Sequence, residues 1–249
     1  MIRHLALFTG YELRKSFANP IWPLFGILQP VLYLLMFAPL LKSLTPGGSS
    51  VEALRMFTPA AMMMIAVFGA MFSGFGLIGE LRNGSVERYA VSPAWRPAIV
   101  LGRVTRDMVT LVAQALLVVL VAWLMGLRIG FAGLVLMLLL MAAAGLFASS
   151  VSQGLALAVR DENGMSQTLN LFTLPLMLLA GLFIPISFAP HWMQVVAKVN
   201  PLYYAVEAGR ALFAGNLGAP EVPIAFAVFV VLAVLTTAWS VRSLRRVAG

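Results

Sequence analysis

The chain has 249 residues, 61% of them hydrophobic and only 10% charged, with a formal net charge of +8 and a mean hydropathy of +0.95. A soluble domain carries about 25% charged residues, so this chain has too few to coat a folded surface of its size. A soluble enzyme, a disordered chain and a nucleic-acid binder are thereby excluded in favour of an all-α polytopic membrane protein, with no nucleic-acid partner.

Residues 1–19 place Ile2, Leu5, Leu13 and Phe17 at roughly helical spacing among Arg3, Glu12, Arg14 and Lys15, and stop at Asn19-Pro20. This predicts an amphipathic helix lying along the membrane surface, with Arg3, Arg14 and Lys15 near anionic headgroups. A plain positive flank that only sets topology is the other reading. The stretch that follows is too long for a cleavable signal and lacks an A-x-A-like exit.

Six segments are long and apolar enough to cross a bilayer, near residues 21–41, 57–79, 108–127, 131–159, 169–187 and 222–241, and none contains a charged residue. The connections set the orientation. Arg3, Arg14, Lys15, Arg82, Arg88, Arg96, Arg103, Arg106, Arg160, Arg242, Arg245 and Arg246 fall on one side, and only Lys42, Arg55, Arg128, Lys198 and Arg210 on the other. The richer side is expected to be cytoplasmic, with both termini there. One single membrane domain, 1–249, is expected.

Between the second and third spans, the 80–107 loop reads Glu80-Leu81-Arg82-Asn83-Gly84-Ser85-Val86-Glu87-Arg88-Tyr89-Ala90-Val91-Ser92-Pro93. Ser85 can cap a short helix over 86–91, Ser92-Pro93 ends it, and the next helix starts near Pro97. A short charged helix between two spans suits docking on a soluble partner; an ordinary solvated loop is the alternative. Inside the preceding span, Gly74, Gly76 and Gly79 fit G-x-G-x-x-G, but no strand precedes them, so close helix packing in lipid is the expectation.

The segment 188–221 is the third non-spanning stretch. Trp192, Val195, Val196 and Val199 recur at i, i+3, i+4 and i+7, opposite His191, Gln194 and Lys198, which predicts an amphipathic helix of about ten residues. Asn200-Pro201 breaks it and starts a second helix, 202–214, closed by Gly215, with Glu207 and Arg210 three apart and able to pair. Neither is long enough to span. A hairpin dipping partway into the outer leaflet and one lying flat on the surface both remain open.

The inventory holds little chemistry. The only histidines, His4 and His191, lie outside the spans. There is no zinc helix or metal-ligand cluster, no cysteine, and no phosphate-binding loop, so no cofactor is expected on this chain. Uncharged spans also argue against proton or sodium coupling, which places ionisable groups at membrane depth. Gln29, Tyr33, Gln114 and Asn170 are the few polar groups in the spans; they could orient a substrate, or simply bond between helices.

The loops and their order resemble the permease subunits of type-2 ATP-binding-cassette exporters, most of all the daunorubicin-resistance and nodulation-factor exporter permeases. The resemblance runs over essentially the whole chain. It rests on the basic N-terminal helix ending in Asn19-Pro20, the loop with Glu80, Gly84, Ser85, Glu87, Ser92 and Pro93, and Ile99-Val100-Leu101-Gly102-Arg103. Further on it takes in Leu174-Pro175, Gly181, Phe183 and Pro185, then Asn200-Pro201-Leu202 with Tyr204-Ala205-Val206-Glu207-Ala208 and Arg210. The family more often has a bulkier residue at the position of Gly209. The resemblance implies a coupling helix contacting a separate ATPase, formed by Glu80, Arg82, Gly84, Ser85, Glu87, Arg88, Ser92 and Pro93. It implies an N-terminal helix that helps cradle the same subunit, and a re-entrant hairpin holding Trp192, Asn200, Pro201, Glu207 and Arg210. Two ATPase copies would bind the ATP and magnesium, and a second permease, the same or different, would complete the pathway in a bacterial inner membrane. The cargo would be a hydrophobic or amphipathic drug or lipid-like molecule entering from the bilayer. A polysaccharide or glycolipid exporter permease and a non-transport membrane scaffold are the rival readings.

Overall fold

The computed structural model describes residues 7–14, 21–42, 49–83, 97–183 and 185–247. All regular structure among them is helical. Helix α1 covers 7–14, α2 Ile21–Lys42, and α3 Ser50–Met64, which continues through a π-helical turn, Ile65–Gly69, towards α4, Ser73–Arg82. Then come α5 (Pro97–Leu124), α6 (Phe131–Val159), α7 (Glu162–Leu179), α8 (His191–Ala197), α9 (Pro201–Phe213) and α10 (Glu221–Val247).

Four described stretches are long and apolar enough to cross a membrane: Ser50–Arg82, Leu101–Leu124, Phe131–Val159 and Glu221–Leu244. They fall on the second, third, fourth and sixth expected spans, and α6 matches its expected limits, 131–159, residue for residue. Helix α2 lies on the first expected span and carries Pro30 and Pro39, and its described apolar stretch is shorter, Leu28–Phe37. The fifth expected span, 169–187, has no counterpart among these four; helix α7, Glu162–Leu179, overlaps it in part. Helix α7 starts at Glu162 because Asp161 caps it, accepting from the Gly164 N–H at 2.8 Å. It stops at Leu179 because the chain turns through Gly181, whose φ of +69° is open to glycine at little cost.

Helix α3 sits at the centre. From Phe57 through Val67 every side chain is buried, the signature of a helix enclosed on all sides by other helices. Phe57, Met62 and Met63 pack with Met137, Leu140 and Met141 of α6 and with Phe229 of α10 in one core. The outward faces carry leucine and valine instead: Leu116, Leu120 and Leu124 on α5, Leu139 on α6, Val230, Val234 and Leu235 on α10. Such a belt is costly in water and natural in lipid.

Close approach is built from small residues. A Cβ added at Gly154 would meet the Trp239 ring at 2.1 Å, so the indole of α10 lies directly on the α6 backbone there. At Gly74 it would meet the Ser152 carbonyl at 2.5 Å. Of the three glycines in the G-x-G-x-x-G match, Gly74 alone packs so; Gly76 and Gly79 have nothing within 4 Å of an added Cβ. The packing expectation thus holds for one position and fails for two, because only one of three residues spaced 2 and 3 apart faces α6.

A second, smaller cluster joins Leu77, Ile78, Val104, Leu157, Met165 and Leu244, with Phe8 packed against it. It brings α1, the end of α4, the start of α5, the α6–α7 turn and the end of α10 together. Every connection expected on the arginine-rich side that is described therefore gathers at one end of the bundle.

A buried ion junction beside the 84–96 segment

Segment 84–96 lies outside the described residues, and with it the coupling positions Gly84, Ser85, Glu87, Arg88, Ser92 and Pro93. Arg3 and Lys15 lie outside them too, while Arg14 is described and exposed. The described residues on either side of 84–96 form the most concentrated charged structure among the described residues.

Its centre is Arg103, 3% exposed. The guanidinium donates from Nε to Glu12 of α1 at 3.3 Å and from Nη2 to Glu80 of α4. Arg106, one turn on, reaches the other Glu12 oxygen at 3.7 Å and donates from Nη2 to Asp107 at 2.6 Å. The second Asp107 oxygen accepts from Ser149 Oγ of α6 at 2.5 Å, and Ser149 Oγ lies 3.3 Å from Ser73 Oγ. Gln153 Nε2 donates to Ser73 Oγ at 3.4 Å. A continuous polar chain thus runs from the N-terminal helix through α5 into the seam between α4 and α6. Buried charges are tolerable only when paired and hydrogen-bonded; here every charge is paired, while Arg103 Nη1 and Arg106 Nε have no hydrogen-bond partner among the described residues.

The surrounding packing is correspondingly tight. A Cβ on Gly102 would lie 2.9 Å from Phe8 Cβ, so α1 is pressed onto α5 at the position before Arg103. Ser152 Oγ donates to the Met71 carbonyl and accepts from the Gly74 N–H at 2.9 Å. It thereby bridges the break between the π turn and α4, where the regular ladder leaves both groups open. At the surface, Arg82 pairs with Asp161 at 3.4 Å and with Glu162 at 3.2 Å. The helix that enters 84–96 is therefore tied to the α6–α7 turn by Arg82 and to α5 by Glu80, and the helix that leaves it is tied to α1.

Of the sequence-predicted site residues, Glu80 and Arg82 belong to this junction. Glu12, Arg106 and Asp107 were missed as members of it, and Arg103 was quoted only as part of a motif and as a positive loop charge. The available signal was helical spacing: Arg103, Arg106 and Asp107 lie at i, i+3 and i+4 on a helix already expected to begin near Pro97, so they share one face.

At the opposite end, two short helices, α8 and α9, stand in the segment 188–221. Asn200 caps α9, accepting from Leu202 N–H at 3.0 Å, and its Nδ2 donates to the Leu176 carbonyl at the end of α7 at 2.6 Å. Pro201 occupies the first turn. Glu207 and Arg210 pair at 2.5 Å, and Arg210 also donates to the carbonyls of Met56 and Gly181. Helix α8 is shorter than expected, seven residues, ending in a turn at Lys198. Its apolar side, Trp192, Val195, Val196 and Val199, faces away from the protein, with Val199 85% exposed. Gly209 is a packing requirement, since a Cβ there would meet Pro59 Cβ at 2.7 Å.

The four polar span residues do not converge. Gln29 donates to Tyr33 at 3.2 Å within α2, and Asn170 to Ser166 at 3.4 Å within α7. Gln114 is buried beside Gly69 of the π turn.

Residues 4–214 match the family model described as ABC-2 type transporter. The chain is 27% identical to the daunorubicin resistance ABC transporter permease protein DrrB1 of Streptomyces coeruleorubidus, over 77% of this chain and 68% of that protein. It is 26% identical to the putative transport permease ycf38 of Cyanophora paradoxa, over 78% and 69% respectively. A match covering most of the chain, on a helical bundle with membrane-length apolar helices, makes it a member of the ABC-2 type transporter family, a multi-pass membrane subunit of an ABC transporter.

Proposed function

We propose that this chain is the membrane-spanning subunit of an ATP-driven exporter in the bacterial plasma membrane, moving a hydrophobic or amphipathic molecule outward. In this reading it crosses six times, α2 and α7 included, with the ion junction at the cytoplasmic face. Two copies of a separate ABC ATPase hold ATP and magnesium, and a second permease completes the pathway. The name of the DrrB1 relative supports a role in drug efflux.

The observation that carries the reading is the ion junction around 84–96. A segment that receives a push from an ATPase needs rigid attachment on both sides. Here the incoming helix is fixed by Glu80 and Arg82 and the outgoing helix by Arg103 and Arg106. Motion of 84–93 would then pass into α4 and α5 together, and through Ser149 and Ser152 into α6, while α1 moves with Arg103. The π turn above α4 is the natural place for that displacement to be absorbed, since its ladder is already interrupted.

The test is to purify the chain with the candidate ATPase and measure ATP hydrolysis and cargo movement in liposomes, with and without this subunit. A stable complex whose hydrolysis responds to the permease is the expected result, and absence of any complex would sink the proposal. Glu87→Arg, or replacement of 84–91 by a Gly/Ser linker, is expected to abolish transport while ATP hydrolysis continues and the spans stay folded. Wild-type transport by either variant would refute the coupling role of 84–93.

A further inference from the structure

The apolar stretch Ser50–Arg82 loses its regular ladder midway. After the π turn Ile65–Gly69, the Ala70 N–H reaches back only three residues, to the Val67 carbonyl. The Phe75 N–H likewise goes to the Phe72 carbonyl at 3.2 Å, where an α-helix would take it to Met71. The Met71 carbonyl and the Gly74 N–H are instead both bonded by one side chain, Ser152 of α6, which is fully buried. One hydroxyl thus stands where two rungs of the ladder would be.

The two sides of this break are held differently. Above it, 57–67 is enclosed by apolar side chains, a packing that does not deform continuously. Leu111 of α5, itself buried, is wedged beside the π turn. A Cβ at Gly69 would meet one of its methyls at 2.8 Å, and a Cβ at Gly145 of α6 would meet the other at 2.6 Å. Below the break, α4 is held largely by polar groups: Ser73 by Ser149 and Gln153, and Glu80 by Arg103. Its first turn lies on α6 through bare backbone, since a Cβ at Gly74 would meet the Ser152 carbonyl at 2.5 Å. Helix α6 passes both sides as one unbroken helix, Phe131–Val159. A displacement entering at Glu80 therefore meets a fixed upper half, and the interrupted backbone at 70–73 is where the span can bend.

We propose that 70–73 is a hinge at which α4 turns relative to α3, and that Ser152 is its pin, a positioning residue that keeps the turning end of α4 seated on α6. This deepens the exporter reading and rests on it only for the meaning of the motion in transport. The hinge itself belongs to this chain and needs no ATPase.

The chain has no cysteine, so nitroxide pairs can be introduced without background. Val51→Cys with Asn83→Cys spans the hinge, and Phe131→Cys with Ala158→Cys is the reference on α6; all four positions are exposed. Distances are read by double electron–electron resonance on the full chain in phosphatidylcholine nanodiscs, labelled chain diluted with unlabelled. Ser152→Ala should broaden the distribution across the hinge and leave the α6 pair unchanged. Gly74→Ala, whose Cβ must push α4 off Ser152, is a second route to the same result. Ser150→Ala should move neither pair: Ser150 is another fully buried serine of α6, but it bonds Thr237 of α10 at 2.8 Å. A cooperative unfolding transition by tryptophan fluorescence certifies each fold. A hinge distribution unmoved by both Ser152→Ala and Gly74→Ala, or moved as much by Ser150→Ala, would overturn the proposal. In the complex with the ATPase, Ser152→Ala should move less cargo per ATP than Ser150→Ala, and equal cargo per ATP would overturn the role of the pin in transport. Failure of any ATPase to bind would sink the exporter reading and leave the hinge measurement standing.

Discussion

Arg103 and Arg210 stand at opposite ends of the bundle, and they are held by different chemistry. Arg103 sits between the carboxylates of Glu12 and Glu80, 91 and 23 residues away in sequence, and its neighbour Arg106 adds Asp107. Arg210 has one carboxylate, Glu207, three residues back on its own helix, and otherwise serves two backbone carbonyls. One of these carbonyls, Met56, lies within α3, and the other, Gly181, just past the end of α7. The first end is an assembly of ions from three segments that is stable only when complete. The second is a strap between helices, made largely with neutral partners that water can replace.

The largest expected effect follows from that incompleteness. Arg103→Met takes the central cation from between Glu12 and Glu80, whose side chains are 5% and 12% exposed, and leaves Glu12 with the 3.7 Å contact to Arg106. Losing one member of a buried set costs about 3–5 kcal/mol, so thermal unfolding followed by tryptophan fluorescence should shift sharply downward, or the protein should fail to accumulate. Arg103→Lys should rescue only in part, because an ammonium cannot present the fork that spans both carboxylates. The double variant Glu12→Gln with Arg103→Met should recover some of the loss, since it removes one stranded charge. If Arg103→Met unfolds at the wild-type temperature, the two ends do not differ as described.

Arg210→Met tests the other arm. It frees two carbonyls and leaves Glu207, which at 30% side-chain exposure can return to water. The expected loss is about 1–3 kcal/mol, the cost of unsatisfied acceptors rather than of a stranded ion. A shift as large as that of Arg103→Met would erase the contrast between an ionic and a neutral end. A smaller shift of the same sign, with packing between α3 and α9 loosened, is the expected outcome.

The same contrast explains what could be read from sequence. The limits of α6, the start of α5 at Pro97, the Asn200-Pro201 start of α9 and the Glu207–Arg210 pair are all local: each follows from hydropathy, a cap, a proline or an i, i+3 spacing. The strap at the hairpin end was therefore half legible, through its short-range pair, while its contacts to Met56 and Gly181 were not. The ion junction was almost invisible, because Glu12, Glu80 and Arg103 meet only after α1, α4 and α5 have packed. A count of arginines by side groups Arg103 and Arg106 with the loop charges, yet both lie in a helix and Arg103 is buried in protein. Asp107 immediately precedes the expected third span and accepts from Ser149 of α6.

Asn200→Ala separates the hairpin's own start from its attachment to the bundle. The side chain caps α9 through Leu202 N–H and holds the end of α7 through the Leu176 carbonyl. Loss of the cap costs about 0.5–2 kcal/mol. Asn200→Ser should restore most of the cap while lacking the reach and the donor geometry for Leu176. If Ser recovers nearly all the stability, the cap dominates; if it recovers little, the tether to α7 does, and the neutral strap at this end extends beyond Arg210.

The smallest effect on stability should come from Arg82→Gln, and that is where the comparison becomes one of function. Arg82, Asp161 and Glu162 are each about half exposed, so their pairs are screened and contribute at most about 1 kcal/mol. Unfolding should move little, and less still in high salt. Yet these pairs tie the helix entering 84–96 to the α6–α7 turn, and a tether can transmit displacement without contributing much to folding. In the reconstituted complex, Arg82→Gln should therefore hydrolyse ATP at close to the wild-type rate while moving less cargo per ATP. The charge-reversed set Arg82→Glu with Asp161→Arg and Glu162→Arg should regain part of that coupling if attachment is what matters. A variant with normal cargo movement per ATP would confine transmission to the buried contacts of Glu80 and Arg103, leaving Arg82 as a surface pair without a role in the stroke.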